Sequence, residues 1–172
     1  VAEPGFDAGS VEIDELEARR FLWQAAFGPS EADVAYVMSE GFEAWIDMQM
    51  SLPPSLFDYQ RYVDAQDAGL VSNISIERFF DDHAILGADQ LRQRTAWALI
   101  QLIVMNSVQN GPDNEADMLY YNRYVEGAFG GYCDLLEFVS FSYQMGVYLT
   151  FSESSAAGMD GAAAPDENYA RE

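Results

Sequence analysis

Lysine is absent from this chain, so arginine carries all of its side-chain positive charge apart from the single histidine. The composition has 29 acidic residues against 8 basic ones, which gives a formal net charge of −21 at pH 7. A surface of this sign repels nucleic-acid phosphates and anionic lipid headgroups. We therefore predict no nucleic-acid partner. The acidity suits a salty or extracytoplasmic setting, where salt screens the self-repulsion, or else reflects a lineage with acidic proteins.

Cysteine and histidine each occur once, as Cys133 and His83. One cysteine excludes an internal disulfide and a cysteine-based zinc cluster. Two aspartates precede His83, but adjacent residues on a helix point in different directions, and no second histidine completes a metal site. Residues 113–117 begin like a calcium-binding loop, yet Met118 stands where that loop requires glycine. The sequence therefore predicts no metal and no cofactor.

Long apolar runs are missing too. The longest, residues 96–105, is about half of the ~20 residues needed to cross a bilayer, so it predicts a buried helix and no transmembrane segment. Residues 1–10 are acidic and lack the basic start and apolar run of a signal peptide. We expect a flexible acidic leader over residues 1–15 and a single domain over residues 16–172, with 49% hydrophobic residues in the chain to build its core.

Helical periodicity, by contrast, runs through most of the chain. Apolar residues recur at helical spacing from Ile13 to about residue 27, and Ser30 and Gly41 stand where a helix cap and a helix stop belong. Little strand signal is present. We predict an all-α fold, a multi-helix orthogonal bundle around a central apolar helix that is the most buried of all. Further helices are predicted at about residues 42–50, 59–66, from 75, 89–106 (the central one), 113–130 and 135–149.

Six short sequence motifs, which we call phrases, occur in the order in which they are found in the bacterial family called domain of unknown function 1800, and the chain resembles that family through them. Each phrase alone is weak evidence, but their joint order is specific, and the resemblance covers the chain from about Leu16 onward. The phrases are ARRFLWQAAFGPS (18–30), GFEAWI (41–46), LRQRTAWAL (91–99), AFGGYCDLL (128–136), MGVYL (145–149) and PDENYARE (165–172).

The resemblance implies a mostly helical, exported protein, and therefore a periplasmic or extracellular location. It also implies that this chain is the N-terminal portion of a longer protein, because more apolar helix normally follows the last phrase in the family. The family has no established catalytic residues, so the resemblance assigns none here. Whether the protein is an enzyme stays open at this point.

The arginines at the start of the predicted central helix need a local partner, because the helix dipole disfavours cations at that end. Asp89 can pair with Arg92 three residues later, and the acids of the last phrase are a further source of carboxylates. Together, these arginines and acids predict either ion pairs that clasp the last phrase to the central helix or a pocket for a sugar or carboxylate ligand. The candidate residues are Arg92, Arg94, Asp166, Glu167, Asn168, Arg171 and Glu172.

Aromatic residues make up 14% of the chain, and several tyrosines fall close together. Phenol rings offer a large contact area with a polar tip, as in partner interfaces. We take Tyr120, Tyr121, Tyr124 and Tyr132 as candidate interface residues, with the alternative that half of them lie in the core.

No complete catalytic set is visible, and this favours a role in interaction or assembly. The expected partner is another polypeptide, either the protein's own C-terminal part or a different subunit. The alternative is an extracytoplasmic hydrolase of polysaccharides, in which the terminal carboxylates form the acid–base pair.

Overall fold

The computed structural model describes residues 12–69, 80–103, 114–152, 154 and 166–171. Within these ranges the chain forms α-helices and one π-helical turn and contains no strand, which confirms the predicted all-α class. None of the described helices has the length and apolar content needed to cross a membrane. In chain order the elements are α1 Glu15–Ala25, α2 Glu31–Glu40, α3 Phe42–Ser51, α4 Tyr59–Asp67, the π-helical turn Asp81–Ile85, α5 Gln90–Leu102, α6 Asn114–Gly127, α7 Tyr132–Ser140, α8 Tyr143–Tyr148 and α9 Asn168–Arg171.

Side-chain caps fix the first helices where the sequence predicts them. The Asp14 carboxylate accepts a hydrogen bond from the Glu17 amide at 2.8 Å and so starts α1. The Ser30 hydroxyl accepts one from the Asp33 amide at 3.0 Å and starts α2. Gly41 separates α2 from α3 at φ 92°, a conformation that other residues rarely adopt.

The N-terminal core is formed by α1, α2 and α3. Leu22, Val37 and Trp45 are fully buried in it, one from each helix. The Trp45 indole also donates a hydrogen bond to Asp33 Oδ1 at 2.9 Å, so the largest side chain of this core satisfies its polar atom.

A second, larger core surrounds α6. This helix buries residues on several sides, including Met118, Tyr120, Tyr124 and Val125. Residues of α4, α5, α7 and α8 pack around it.

The predicted central helix corresponds to α5, and it lies between the two cores. Leu91 packs against the N-terminal core, whereas Ala96 belongs to the second. The prediction that this helix is the most buried is wrong, because Trp97 is 37% exposed and Leu102 is 76% exposed. Neighbouring helices cover only part of its apolar circumference, and α6 is the more enclosed helix.

The structure divides one of the predicted helices into two. The segment at 135–149 divides into α7 and α8 because the Ser142 hydroxyl accepts a hydrogen bond from the Met145 amide at 3.2 Å and starts a new helix. The predicted helix start at Ser75 and most of the expected leader, residues 1–11, lie outside the described residues.

Candidate functional site

The first turn of α5 carries a buried polar cluster. Asp89, just before the helix, has no solvent-exposed surface. Its Oδ2 accepts hydrogen bonds from the Ser55 amide at 2.9 Å and from Gln93 Nε2 at 3.2 Å, and it lies 3.9 Å from Arg92 Nε. Gln93 Nε2 also donates to the Ser55 carbonyl at 2.8 Å. These contacts join α5 to the segment between α3 and α4.

Arg92 contacts three parts of the fold. Its guanidinium donates to the carbonyls of Leu52 and Val125, both at 3.4 Å, and lies over the Phe129 ring at 4.5 Å. The charge is therefore compensated by one carboxylate, two carbonyls and an aromatic face, and not by a bidentate pair. This geometry joins three segments of the fold through a side chain that is only 12% exposed.

The predicted clasp between these arginines and the last phrase does not form among the described residues. Arg94 lies over the Phe27 ring at 5.3 Å. Asp166 accepts hydrogen bonds from the Thr150 hydroxyl at 2.6 Å and from the Asn168 amide at 2.8 Å, and Arg171 pairs with Glu167 one helical turn away.

The described residues of the last phrase do not contact these arginines because α9, which lies in that phrase, packs elsewhere in the fold. Tyr169 hydrogen-bonds the Ser140 hydroxyl and its ring lies 4.9 Å from that of Phe151, which holds α9 against the ends of α7 and α8. The hydrogen bonds that Asp166 accepts, first from the Thr150 hydroxyl and then from the Asn168 amide, lower the pKa of its carboxyl and so favour the ionised form. The remaining candidate, Glu172, lies outside the described residues.

Three of the four candidate interface tyrosines are core residues. Tyr120, Tyr121 and Tyr124 are each at most 4% exposed. Tyr120 and Tyr124 hydrogen-bond each other at 3.0 Å, and Tyr124 donates to the Ile103 carbonyl at 3.2 Å. Burial raises the pKa of both hydroxyls. As interface residues they were wrongly predicted, because α6 is enclosed by its neighbours.

Tyr132, the fourth candidate, is 55% exposed and lies at the edge of an open groove with a volume of about 710 Å³. The end of α5, the exposed side of α7, helix α8 and the start of α9 form its walls. The lining residues are Leu102, Ile103, Tyr132, Leu136, Val139, Met145, Tyr148, Leu149, Thr150, Asn168 and Tyr169.

The groove lining combines apolar side chains with hydroxyl and amide groups, and acidic residues lie beside it. Of the residues that the structure describes, no charged side chain lines it, and Leu102 and Leu136 are 76% and 40% exposed. Asp166 and Glu167 are exposed just before α9, and Asp166 accepts a hydrogen bond from the hydroxyl of Thr150, which lines the groove. The groove can therefore bind an apolar surface and attract positive charge around it.

Sequence reasoning named Tyr132 and Asn168, in two unrelated candidate sets, and the structure brings them together in the groove. It missed the aliphatic residues, Leu102 and Leu136 above all, because an exposed leucine and a buried one are alike in a helical pattern. The sequence did carry one signal: three of the six phrases that resemble the family, those at 128–136, 145–149 and 165–172, each contribute groove residues.

A smaller pocket of about 200 Å³ lies at the turn between α6 and α7. Arg123, Glu126 and Asp134 contribute its charged groups, and Arg123 pairs with Glu126 at 2.8 Å. Among the described residues no group of three or more histidines, cysteines or carboxylates is arranged to hold a metal ion.

Comparison with known proteins identifies the family. The model of the family described as "Protein of unknown function (DUF1800)" matches residues 20–172. The chain belongs to this family. No curated protein and no solved structure matches the chain. In this member of the DUF1800 family, the groove and the charge around it are the features that bear most directly on function.

Proposed function

We propose that this chain is a helical interaction protein whose groove binds a helix of another polypeptide, with an apolar face and basic flanking residues on that helix. The observation that carries the proposal is the groove itself, in which Leu102, Tyr132 and Leu136 are exposed side by side on one lining. Contiguous apolar surface of this kind commonly marks an interaction site in soluble proteins. A helix in a groove is one of the recurrent modes of peptide recognition.

The shape of the groove supports a helical occupant. Four helices form its walls, its volume is about 710 Å³, and the polar groups of its described lining are the Asn168 amide and four hydroxyls, those of Tyr132, Tyr148, Thr150 and Tyr169. Helical walls offer no open strand edge with which an extended peptide could pair, whereas a helix satisfies its own backbone and presents side chains. The contact should bury more than about 1,000 Å² in total if the complex is stable.

The acidic charge of this chain indicates which kind of helix the groove would bind. The chain has a net charge of −21, and exposed carboxylates lie on the elements that border the groove. Two copies of this chain would repel each other at that charge, so a second copy is disfavoured as the occupant. Lysine or arginine residues flanking an apolar stripe would instead accelerate encounter and fix orientation.

The polysaccharide hydrolase is the weaker candidate. Of its proposed terminal carboxylates, Asp166 and Glu167 are held by Thr150, Asn168 and Arg171, and Glu172 lies outside the described residues. Another pair of acids, Glu126 and Asp134, shares a pocket of about 200 Å³ with Arg123, which is below the ~300–1,000 Å³ typical of ligand sites.

A location outside the cytoplasm is part of the proposal and is supported only by the acidic composition and the family resemblance. Fractionation of cells expressing the full-length protein tests it directly. Recovery with cytoplasmic marker enzymes would contradict this part and leave the groove proposal untouched.

The unique cysteine provides a direct binding assay. Cys133 is exposed and follows Tyr132 at the edge of the groove, so an environment-sensitive fluorophore attached there reports on occupancy. The probes are two synthetic amphipathic helices of about four turns, one of leucine and lysine and one of leucine and glutamate. We expect the lysine peptide to bind, more weakly as salt rises, and the glutamate peptide not to bind.

Substitution localises the site. We expect the double variant Leu102→Ser and Leu136→Ser to bind the lysine peptide with an affinity at least about tenfold lower, because each exchange removes apolar surface from the contact. Leu16→Ser is the matched control, because Leu16 is 65% exposed on α1, away from the groove. Equal binding by all three proteins would refute the groove as the site. Concentration-dependent dimers in sedimentation equilibrium, lost in the double variant, would show that a second copy is the occupant.

A further inference from the structure

Thr150 has a backbone conformation that threonine rarely adopts. Its φ is 67°, and in the described part of the chain no other residue apart from glycines has a positive φ. In this left-handed region the β-carbon crowds the neighbouring carbonyl oxygen, and a branched side chain makes the conformation still less favourable. Such conformations persist only where surrounding contacts hold them, and they cluster at ligand sites.

The end of α8 imposes this conformation on Thr150. The Thr150 amide donates to the Val147 carbonyl at 3.2 Å. The Ser152 amide donates to the Gly146 carbonyl at 2.9 Å, so the chain reverses directly after the helix. The reversal is tight, because a β-carbon at Gly146 would lie 3.2 Å from Ser152 Cβ. Helices that end in this way usually carry glycine at the left-handed position, so a contact of the threonine side chain has to offset the backbone cost.

The Thr150 hydroxyl connects α8 to the segment that begins α9. It donates to Asp166 Oδ2 at 2.6 Å, and the Leu149 carbonyl lies at 2.7 Å as a competing acceptor. The single hydroxyl proton favours Asp166, because an ionised carboxylate is the stronger acceptor. The other oxygen of that carboxylate accepts from the Asn168 amide at 2.8 Å. Thr150 is therefore joined to the first residue of α9 through Asp166.

The residue that follows Thr150 also contacts α9. The Phe151 ring lies 4.9 Å from the Tyr169 ring, and both rings pack against the second core. Asn168 and Tyr169 line the groove, together with Thr150 itself. The hydroxyl of Thr150 and the turn at its backbone thus provide two of the contacts that place α9 along the groove.

We propose that Thr150 is a positioning residue of the groove, which holds α9 in place as one wall through its hydrogen bond to Asp166 and through the turn that presents Phe151. The effect on ligand binding rests on the function proposed above, whereas the effect on α9 does not. Valine at this position would keep the unfavourable backbone and lose the hydroxyl. Glycine would lose both, and serine would keep the hydroxyl.

Three substitutions of Thr150 test the proposal by NMR. Solvent exchange of the Asn168 and Arg171 amides, which bond Asp166 and Glu167, reports whether α9 is docked. Nuclear Overhauser effects between the Phe151 and Tyr169 rings report the contact itself. We expect Thr150→Val and Thr150→Gly to raise the exchange rates about threefold or more and to weaken the ring signals, because one hydrogen bond is lost. Thr150→Ser, the matched control, should leave both unchanged.

Thermal stability distinguishes positioning from general packing. Thr150→Gly should have a higher midpoint than Thr150→Val, since both lack the hydroxyl and only valine keeps the unfavourable backbone. A residue with a merely structural role would lose midpoint and α9 docking together. Affinity for the lysine peptide should fall about threefold or more in both variants, as α9 docking does, and be retained in Thr150→Ser.

The outcomes that would overturn the proposal are specific. They are unchanged amide exchange in Thr150→Val and Thr150→Gly, equal midpoints for these two variants, or undocked α9 with unchanged peptide affinity. If the lysine peptide binds neither the wild-type protein nor any variant, the function proposed above fails. Amide exchange then still decides whether Thr150 positions α9.

Discussion

Gln49 is a buried amide that connects the two halves of the fold. It is 3% exposed on α3, donates to the Ala88 carbonyl at 3.1 Å and accepts from the Leu91 amide at 3.1 Å. Replacing it with leucine leaves both backbone groups unsatisfied at the start of α5. We expect Gln49→Leu to lower the free energy of unfolding by about 2 kcal/mol, measured by urea denaturation.

The control is Gln101→Leu on the exposed side of α5, where the lost hydrogen bond to the Trp97 carbonyl can be replaced by solvent. Its effect should stay within about 0.5 kcal/mol. Equal losses for the two variants would mean that the amide of Gln49 contributes no more than a surface side chain.

Tyrosine ionisation predicts how stability falls in alkali. Burial raises the folded-state pKa of Tyr120, Tyr121 and Tyr124 above the unfolded value of about 10. Their contribution to the free energy of unfolding is complete below about pH 10. Above that pH it declines, because these hydroxyls ionise in the unfolded chain while they stay neutral in the folded one. Because the chain has no lysine, tyrosines dominate the titration in this window.

We expect Tyr124→Phe to reduce the slope of unfolding free energy against pH above pH 10 by up to about 1.4 kcal/mol per pH unit. Met118→Leu, a buried exchange on the same helix that removes no ionisable group, should leave the slope unchanged. The measurement is a series of urea midpoints from about pH 9 to pH 12. A change of slope in Met118→Leu as large as that in Tyr124→Phe would contradict the assignment.

Single-residue chemistry was partly predictable from the sequence. The spacing of Asp89 and Arg92 indicated a pair, and the two side chains lie 3.9 Å apart. Which tyrosines are buried could not be predicted, because residues 120, 121 and 124 could equally form a surface stripe on an isolated helix. Burial depends on how many neighbours enclose α6, and that number is a property of the assembled fold.

The junction of α7 and α8 depends on one serine. The Ser142 side chain accepts from the Met145 amide at 3.2 Å and donates to the Val139 carbonyl at 2.8 Å, so it satisfies groups at both helix ends. We expect Ser142→Ala to cost about 1 kcal/mol of unfolding free energy. In Ser39→Ala, which removes an exposed hydroxyl bonded to the Tyr36 carbonyl at the end of α2, the change should be near zero.

Helix boundaries show where sequence patterns succeed. Ser30 and Gly41 mark ends of α2 because a cap and a left-handed glycine act within a few residues. The division at Ser142 was missed since its apolar neighbours continue the helical periodicity through it. Nothing local distinguishes a serine that caps a new helix from a serine on the surface of a long one.

Self-repulsion should limit the stability of the whole molecule at low salt. With a net charge of −21, the folded state brings like charges closer than the unfolded chain does. We expect the urea midpoint to rise as sodium chloride increases from about 0.01 M to about 0.5 M, because the Debye length falls below the spacing of surface charges.

Two acids on α3 allow a matched comparison. Glu43 and Asp47 are exposed and one helical turn apart, so their like charges oppose each other. Asp47→Asn, which keeps the favourable Glu43 charge in the first turn of α3, should stabilise the protein by about 0.3 kcal/mol at low salt and show a weaker salt response. A salt response identical to that of the wild-type protein would indicate that other charges dominate.

The class of the fold followed from the sequence, but the groove did not. Periodicity identifies helices one by one, and the all-α result depends on that information alone. The groove requires the relative positions of α5, α7, α8 and α9, which are separated along the chain by segments that no local pattern relates. Its discovery therefore depended on tertiary structure.

Because α5 belongs to both cores, events at its two ends are thermodynamically linked. Leu102 lies in the groove, while Leu91, most of a helix length (about 17 Å) away, packs in the N-terminal core. A ligand that stabilises the C-terminal end of α5 must also oppose local opening of the helix as a whole. Occupancy of the groove would then slow amide hydrogen exchange in α1 and α3, two helices that contribute no residue to the groove.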